Sequence, residues 1–383
     1  MDGIRAEAAQ LKDSLKDNID LDKLKKELDV SNFEPNAVIR GAQLTLVGAH
    51  RALQNPAIFT NDHYRQAAAA VITGVCIRFA ITIPILGIRV LLWCLSWFIN
   101  LKSASWTTDL GNGIGFIEEH VLQVPFFLMA LMRYLIPTLD NLFMQSLQWV
   151  DLTYVQKHKA ENPSELRDMF YPNLSRYRKV DGSTHSESTA QAISMFLYRF
   201  ARKGAISIFV YLLSYLPVVG RFVLPAASFY TFNRAVGLGP AVGIFGIGIF
   251  LPRTYLVYFL QSYFASRSLM RELLEPYFAR VKFSKTQKRA WFKSREGVLF
   301  GFGLGFYTLI KVPLLGVLIY GIAEASTAYL ITKITDPPPP PAEMQSFAES
   351  QQIWKNKHEF LDLSLGSIDT LRSKPVDQTS KDI

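Results

Sequence analysis

Apolar residues in this chain are gathered into long blocks rather than spread at core spacing. The blocks cover 67–99, 121–150, 204–230, 235–260 and 297–334. The first and last are 33 and 38 residues long, well beyond the roughly 20 that cross a bilayer core. Each is long enough for two short helices. Three blocks contain the same short pattern, a proline, two aliphatic residues and a glycine: IPILG at 83–87, LPVVG at 216–220 and VPLLG at 312–316. Proline removes a backbone donor and clashes with the preceding turn, whereas glycine admits close backbone approach. The pairs Pro84/Gly87, Pro217/Gly220 and Pro313/Gly316 therefore mark expected kinks or hairpins inside apolar surroundings. The pattern predicts an all-α integral membrane protein with four to six membrane helices and proline-centred helical hairpins.

The flanks read differently. Residues 1–66 form a cytosolic amphipathic N-terminal region, in which Leu11, Leu15, Ile19, Leu24 and Leu28 fall near helical spacing among Lys and Asp. The mixed charges favour a helix packed on the rest of the protein over one lying on a membrane. Residues 67–334 form the membrane domain. Beyond it, the five prolines at 337–341 read as a stiff spacer opening a disordered tail over 335–383, with a short helix expected only around Ile353 to Leu365.

Charge between the blocks orients them. Segment 261–296 carries nine Lys/Arg against three acidic residues and 151–203 nine against six, while 100–120 has one Lys against three acids. By the positive-inside rule the loops 151–203 and 261–296 face the cytosol and 100–120 lies opposite. Both termini are then cytosolic. Asn173-Leu174-Ser175 is a glycosylation sequon in one of these cytosolic loops, so a glycan there contradicts the topology.

Composition agrees with a membrane protein, with 49% hydrophobic and 19% charged residues. Cys76 and Cys94 both lie in the first block, about 27 Å apart if that block is one helix, and read as small buried hydrophobes rather than a disulfide. The six histidines are scattered without metal-site spacing. No serine is framed as a nucleophile elbow. The closely spaced glycines of 237–250 and 301–306 follow no expected strand and end in no Lys-Ser/Thr, so they read as helix-packing surfaces, open to homo-oligomer contacts, rather than phosphate loops. No enzyme chemistry and no cofactor are expected.

What is chemically pointed is charge inside apolar blocks: Arg78, Arg89, Arg133, Arg221, Arg253, Lys311 and Glu324. Arg89, Arg221 and Lys311 lie close to their motif prolines, where hairpins would hold them near one depth as contacts for an anion or lipid headgroup, or as residues snorkelling at hairpin mouths. Glu324 snorkels poorly, and a Lys or Arg partner such as Lys311 would explain it. Over 262–299, Tyr277, Phe278, Phe283, Trp291 and Phe292 interleave with Lys and Arg as in a segment lying on an anionic membrane. That reading is preferred to nucleic-acid binding.

The run from Ser266 to Leu330, SRSLMRELLEPYFARVKFSKTQKRAWFKSREGVLFGFGLGFYTLIKVPLLGVLIYGIAEASTAYL, resembles the signature of the fungal UsgS-type transmembrane family, which includes lipid-droplet and outer-spore-wall proteins. It is similar more distantly to the etoposide-induced protein 2.4 and CysZ-like group. The resemblance implies a helical membrane protein of endoplasmic reticulum and lipid droplets with membrane lipids as partners and a role in lipid handling or spore-wall assembly. It carries over no catalytic residue. The alternative, drawn from the CysZ-like likeness, is a small-anion transporter or channel of sulfate-like substrates.

Overall fold

The computed structural model describes residues 33–56, 138–159, 166–177, 220–250, 253–312, 316–341, 344–364 and 368, with isolated helical residues between 72 and 94 and between 194 and 205. Among these residues the architecture is helical with no strand: α1 Pro35–Leu53, α2 Thr138–Lys157, α3 Phe170–Leu174, α4 Gly220–Val236, α5 Leu238–Phe250, α6 Arg253–Leu273, α7 Glu275–Phe278, α8 Lys285–Ser294, α9 Glu296–Ile310, α10 Gly316–Ile334, α11 Met344–Ser350 and α12 Lys357–Asp362. No helix among the described residues is long and apolar enough to cross a membrane.

Helix α9 is apolar on all sides and sits at the centre, against α1, α6 and α10, as expected of a helix without a polar face. Its glycines set the spacing. A Cβ at Gly301 would lie 1.9 Å from the Val38 carbonyl oxygen, and one at Gly41 would lie 2.1 Å from that of Val298. The two helices thus meet backbone to backbone, with the Thr45 hydroxyl donating to the Phe302 carbonyl at 3.2 Å. Gly303 faces the Ser266 carbonyl in α6, and Gly48 faces Ser326 in α10. The glycines of 301–306 are therefore packing residues.

A second, aromatic core joins α4, α5 and α6 to the start of α9. Phe232 lies against Tyr263 at 4.8 Å and Phe245 at 6.3 Å between ring centroids, and Phe300 against Tyr263 at 5.4 Å. The chain reverses between α4 and α5 at Gly237, whose φ of 106° belongs to the left-handed region that glycine enters without strain. It reverses again between α5 and α6, where Gly248 packs on Leu256.

Several expectations meet a different structure. The basic segment 261–296 is the end of α6 plus α7 and α8, and Tyr277, Phe278, Trp291 and Phe292 are buried core rather than headgroup anchors. Ser284 opens α8 with a capping box completed by Gln287. In the N-terminal region, α1 supplies a face of the main core; residues 7–30 lie outside the described residues. The tail from 335 is folded back for most of its described length. Phe347, Trp354, Phe360 and Ile368 join the main core, Asn173 and Tyr177 donate to the carbonyls of Pro338 and Pro339, and α12 falls within the helix expected near 353–365. Proline runs supply unpaired carbonyls, so neighbouring donors pin the spacer instead of leaving it free. Cys94 is exposed rather than buried.

Candidate functional site

Two of the sequence-predicted hairpin glycines open helices. Gly220 is the first residue of α4 and Gly316 the first of α10, while α9 ends at Ile310, just before the third motif. Helices α9 and α10 pack together across that connection. Gly87 is helical and exposed. Pro84, Pro217, Pro313 and Arg89 lie outside the described residues, as does the side chain of Arg221. Lys311 stands exposed with its ammonium 4.3 Å from the Tyr307 ring centre. Glu324 is fully buried, and Lys311 is not placed as its partner. Of Arg89, Arg221 and Lys311, expected near one depth, only Lys311 has a described side chain.

What the fold does gather is apolar surface. Helix α5, with α6 folded back on it, projects Phe250 at 90% exposure and Ile247 at 61%. Val242, Tyr255, Val257 and Tyr258 are exposed beside them. On α5, Gly243, Gly246, Ile247 and Phe250 repeat at three- and four-residue steps and share a face. A Cβ at Gly243 or Gly246 would meet nothing within 4 Å. On α6, Tyr255 and Val257 are separated by about 160° at 100° per residue. The hairpin is therefore apolar on more than one side. Between Ala235 and Ser266 the sequence has a single charged residue, Arg253, which opens α6 at the tip.

The other end of the hairpin is polar. Glu296 accepts from the Tyr263 hydroxyl at 2.5 Å and pairs with Arg267 at 3.1 Å, all three inside or at the edge of the aromatic core. Burial raises the Glu296 carboxyl pKa against the opposing pull of Arg267. One turn on, Arg271 lies 5.9 Å from the Phe292 ring centre; desolvation, then the like charge of Arg267, lowers its pKa, with Arg289 adding to the effect. Arg289 donates to the Arg234 carbonyl at 3.1 Å, which brings α8 to the end of α4. Arg234, Arg271 and Arg289 are all exposed.

Three buried arginines are staples. Arg280 grips Asp140 with two bonds of 2.7 Å. Arg167 pairs with Asp151 at 3.0 Å and covers the Tyr154 ring, while Asp151 also accepts from the Tyr171 amide. Arg295 lines a shallow cleft with Lys333, Asp336 and Lys355. Its guanidinium is committed to the carbonyls of Ile334 at 2.7 Å and Gln351 at 3.0 Å. Burial pushes it down to about 9, leaving it charged at neutral pH. Among the described residues no three His, Cys, Asp or Glu side chains lie together as a metal requires.

Sequence reasoning counted the arginines of 261–296 as a loop signal and missed that α4, α6 and α8 converge. The only local sign was their placement on either side of a charge-poor stretch. No family model, curated protein or solved structure matches the chain.

Proposed function

We propose that this is a non-enzymatic integral membrane protein of the endoplasmic reticulum and lipid droplets, held in the cytosolic leaflet by helical hairpins and engaged in lipid handling or spore-wall assembly. The observation that carries the reading is the α5–α6 hairpin, with large apolar side chains exposed on more than one side of it and Phe250 almost fully so. A projecting apolar hairpin is costly in water and favourable in lipid, at about 25 cal/mol for each Å² removed from water. It also returns to the side from which it starts, as a droplet monolayer with no aqueous far side requires. The resemblance of 266–330 to the fungal droplet and spore-wall proteins supports the same setting.

The test is localisation of the tagged full chain in fungal cells fed oleate, beside an Ile247→Asp/Phe250→Asp variant. Rings of wild type around droplets, lost in the variant while the chain stays folded and abundant, are expected. Wild type dispersed in the cytosol overturns the proposal.

A further inference from the structure

The base of the hairpin has a chemistry that the membrane reading alone does not assign. Resting on that reading, we propose that Arg234, Arg271 and Arg289 form a headgroup site for the phosphate of anionic phospholipids in the leaflet that receives the hairpin.

Depth is the first argument. Helices α5 and α6 run antiparallel from their contact at Gly248 and Leu256, so Gly237 and Arg267 lie at matching distances from the tip. From Arg253 to Arg267 is 14 residues, about 21 Å at 1.5 Å per residue. Half a bilayer, headgroups included, is about 20–22 Å thick. With the tip of the hairpin near the apolar centre, Arg267 stands at the headgroup level, Arg234 lies beside the matching Gly237, and Arg271, one turn or about 6 Å further along α6, reaches the phosphates from just outside with its long side chain.

Charge is the second. Arg267 is paired with Glu296 at 3.1 Å, and Glu275 with Lys288 at 3.4 Å. Arg234, Arg271 and Arg289 are exposed; Arg289 donates to the Arg234 carbonyl and Arg271 lies by Phe292 of the same helix as Arg289, while desolvation, then the like charge of Arg267, disfavours the charged form of Arg271 against the pull of Glu296. Like charges held together by a folded scaffold are relieved by a shared anion, and guanidinium forks suit phosphate oxygens. The aromatic face of Phe292 under Arg271 fixes one fork. The three exposed guanidiniums at the hairpin base are thus open to an external phosphate.

The experiment is co-flotation of the full chain, synthesised in a cell-free system, with vesicles of phosphatidylcholine alone or phosphatidylcholine plus phosphatidylserine. Each membrane-proximal arginine contributes about a fivefold gain on anionic lipid. The Arg234→Gln/Arg271→Gln/Arg289→Gln variant is therefore expected to lose about a hundredfold of the phosphatidylserine preference and keep its binding to phosphatidylcholine. The matching Lys variant keeps most of the preference. A control carrying Lys159→Gln, Arg176→Gln and Lys355→Gln, all exposed outside the hairpin base, keeps all of it. Equal binding of wild type to both vesicles, or equal losses in control and test variants, overturns the headgroup site and leaves the hairpin reading standing. Failure of wild type to float with either vesicle overturns both.

Discussion

Gly301 of α9 and Val38 of α1 approach so closely that a methyl group on Gly301 would lie 1.9 Å from the Val38 carbonyl oxygen. The obstacle is backbone, which cannot rotate away as a side chain does. Gly301→Ala must therefore part the two central helices. The expected cost is at least about 3 kcal/mol, the upper end for overpacking. Gly246→Ala is the internal control: its Cβ enters open space on α5, and helix propensity favours alanine by up to about 1 kcal/mol. Thermal unfolding of the two variants should move in opposite directions.

The helical class and the packing role of GFGLGF were legible because both rest on local pattern: apolar blocks without strand alternation, and small residues at close intervals. Burial of the basic segment was not. Trp291 and Phe292 alternate with Lys288, Arg289 and Lys293 in a way that reads equally as an interfacial helix; the core there is made by Phe278, which packs on both rings, together with the distant residues Phe347, Trp354, Phe360 and Ile368. The same distance hid α1. Its glycines, Gly41 and Gly48, gain meaning only beside Val298 and Ser326, more than two hundred residues away. The convergence of Arg234, Arg271 and Arg289 was hidden for a related reason: charges near prolines were grouped by motif, whereas these three come from three separate helices.

Arg295 holds the returning tail. It donates to Ile334 in α10 and to Gln351 beyond α11, with the rings of Trp291 and Trp354 beside its guanidinium. Replacing it with methionine keeps apolar bulk and deprives two buried carbonyls of their donor, a loss of about 1–3 kcal/mol each. The tail should loosen before the central helices do. Limited proteolysis should cut Arg295→Met after the proline run at a protease concentration that leaves wild type intact; equal resistance would show that the apolar contacts of Phe347, Trp354 and Phe360 suffice.

Asn173 tests sidedness. Its amide Nδ2 donates to the Pro338 carbonyl at 2.8 Å, inside a turn whose neighbour Leu174 is wholly buried. A glycan on Nδ2 would replace that bond and displace the proline run. The sequon is therefore expected to remain unmodified in fungal cells, with no mobility change on endoglycosidase treatment or in Asn173→Gln. A glycan-dependent shift would place 151–203 in the lumen and reverse the topology.

Glu296 gives stability a pH dependence of unusual sign. Burial raises its folded pKa above the ordinary carboxylate value, so between the unfolded and folded values the native state binds more protons than the unfolded chain. Its contribution to stability therefore improves as pH falls through the raised folded pKa and levels off below about 4.3, the unperturbed Glu value. Glu296→Gln lacks this term. The stability difference, wild type minus variant, should grow on acidification from neutral pH, read as the gap between their thermal midpoints. A gap that shrinks on acidification would mean that the pairing with Arg267 outweighs burial.

Arg253 supplies the sharpest test of where the hairpin tip resides. It is the one charge between Ala235 and Ser266 and the first residue of α6. If the tip lies in hydrocarbon, the arginine opposes insertion by about 2.5–3.5 kcal/mol on the insertion scale, whereas leucine favours it slightly. Arg253→Leu should then raise partition into phosphatidylcholine vesicles about a hundredfold or more and shift the cellular pool toward droplets. If the tip instead lies at a water interface, the arginine is solvated or bound to phosphate, and its removal leaves partition unchanged or weakens it. The sign of the change decides between the two depths, and the Arg234, Arg271 and Arg289 variants measured in the same flotation assay fix the other end of the ruler.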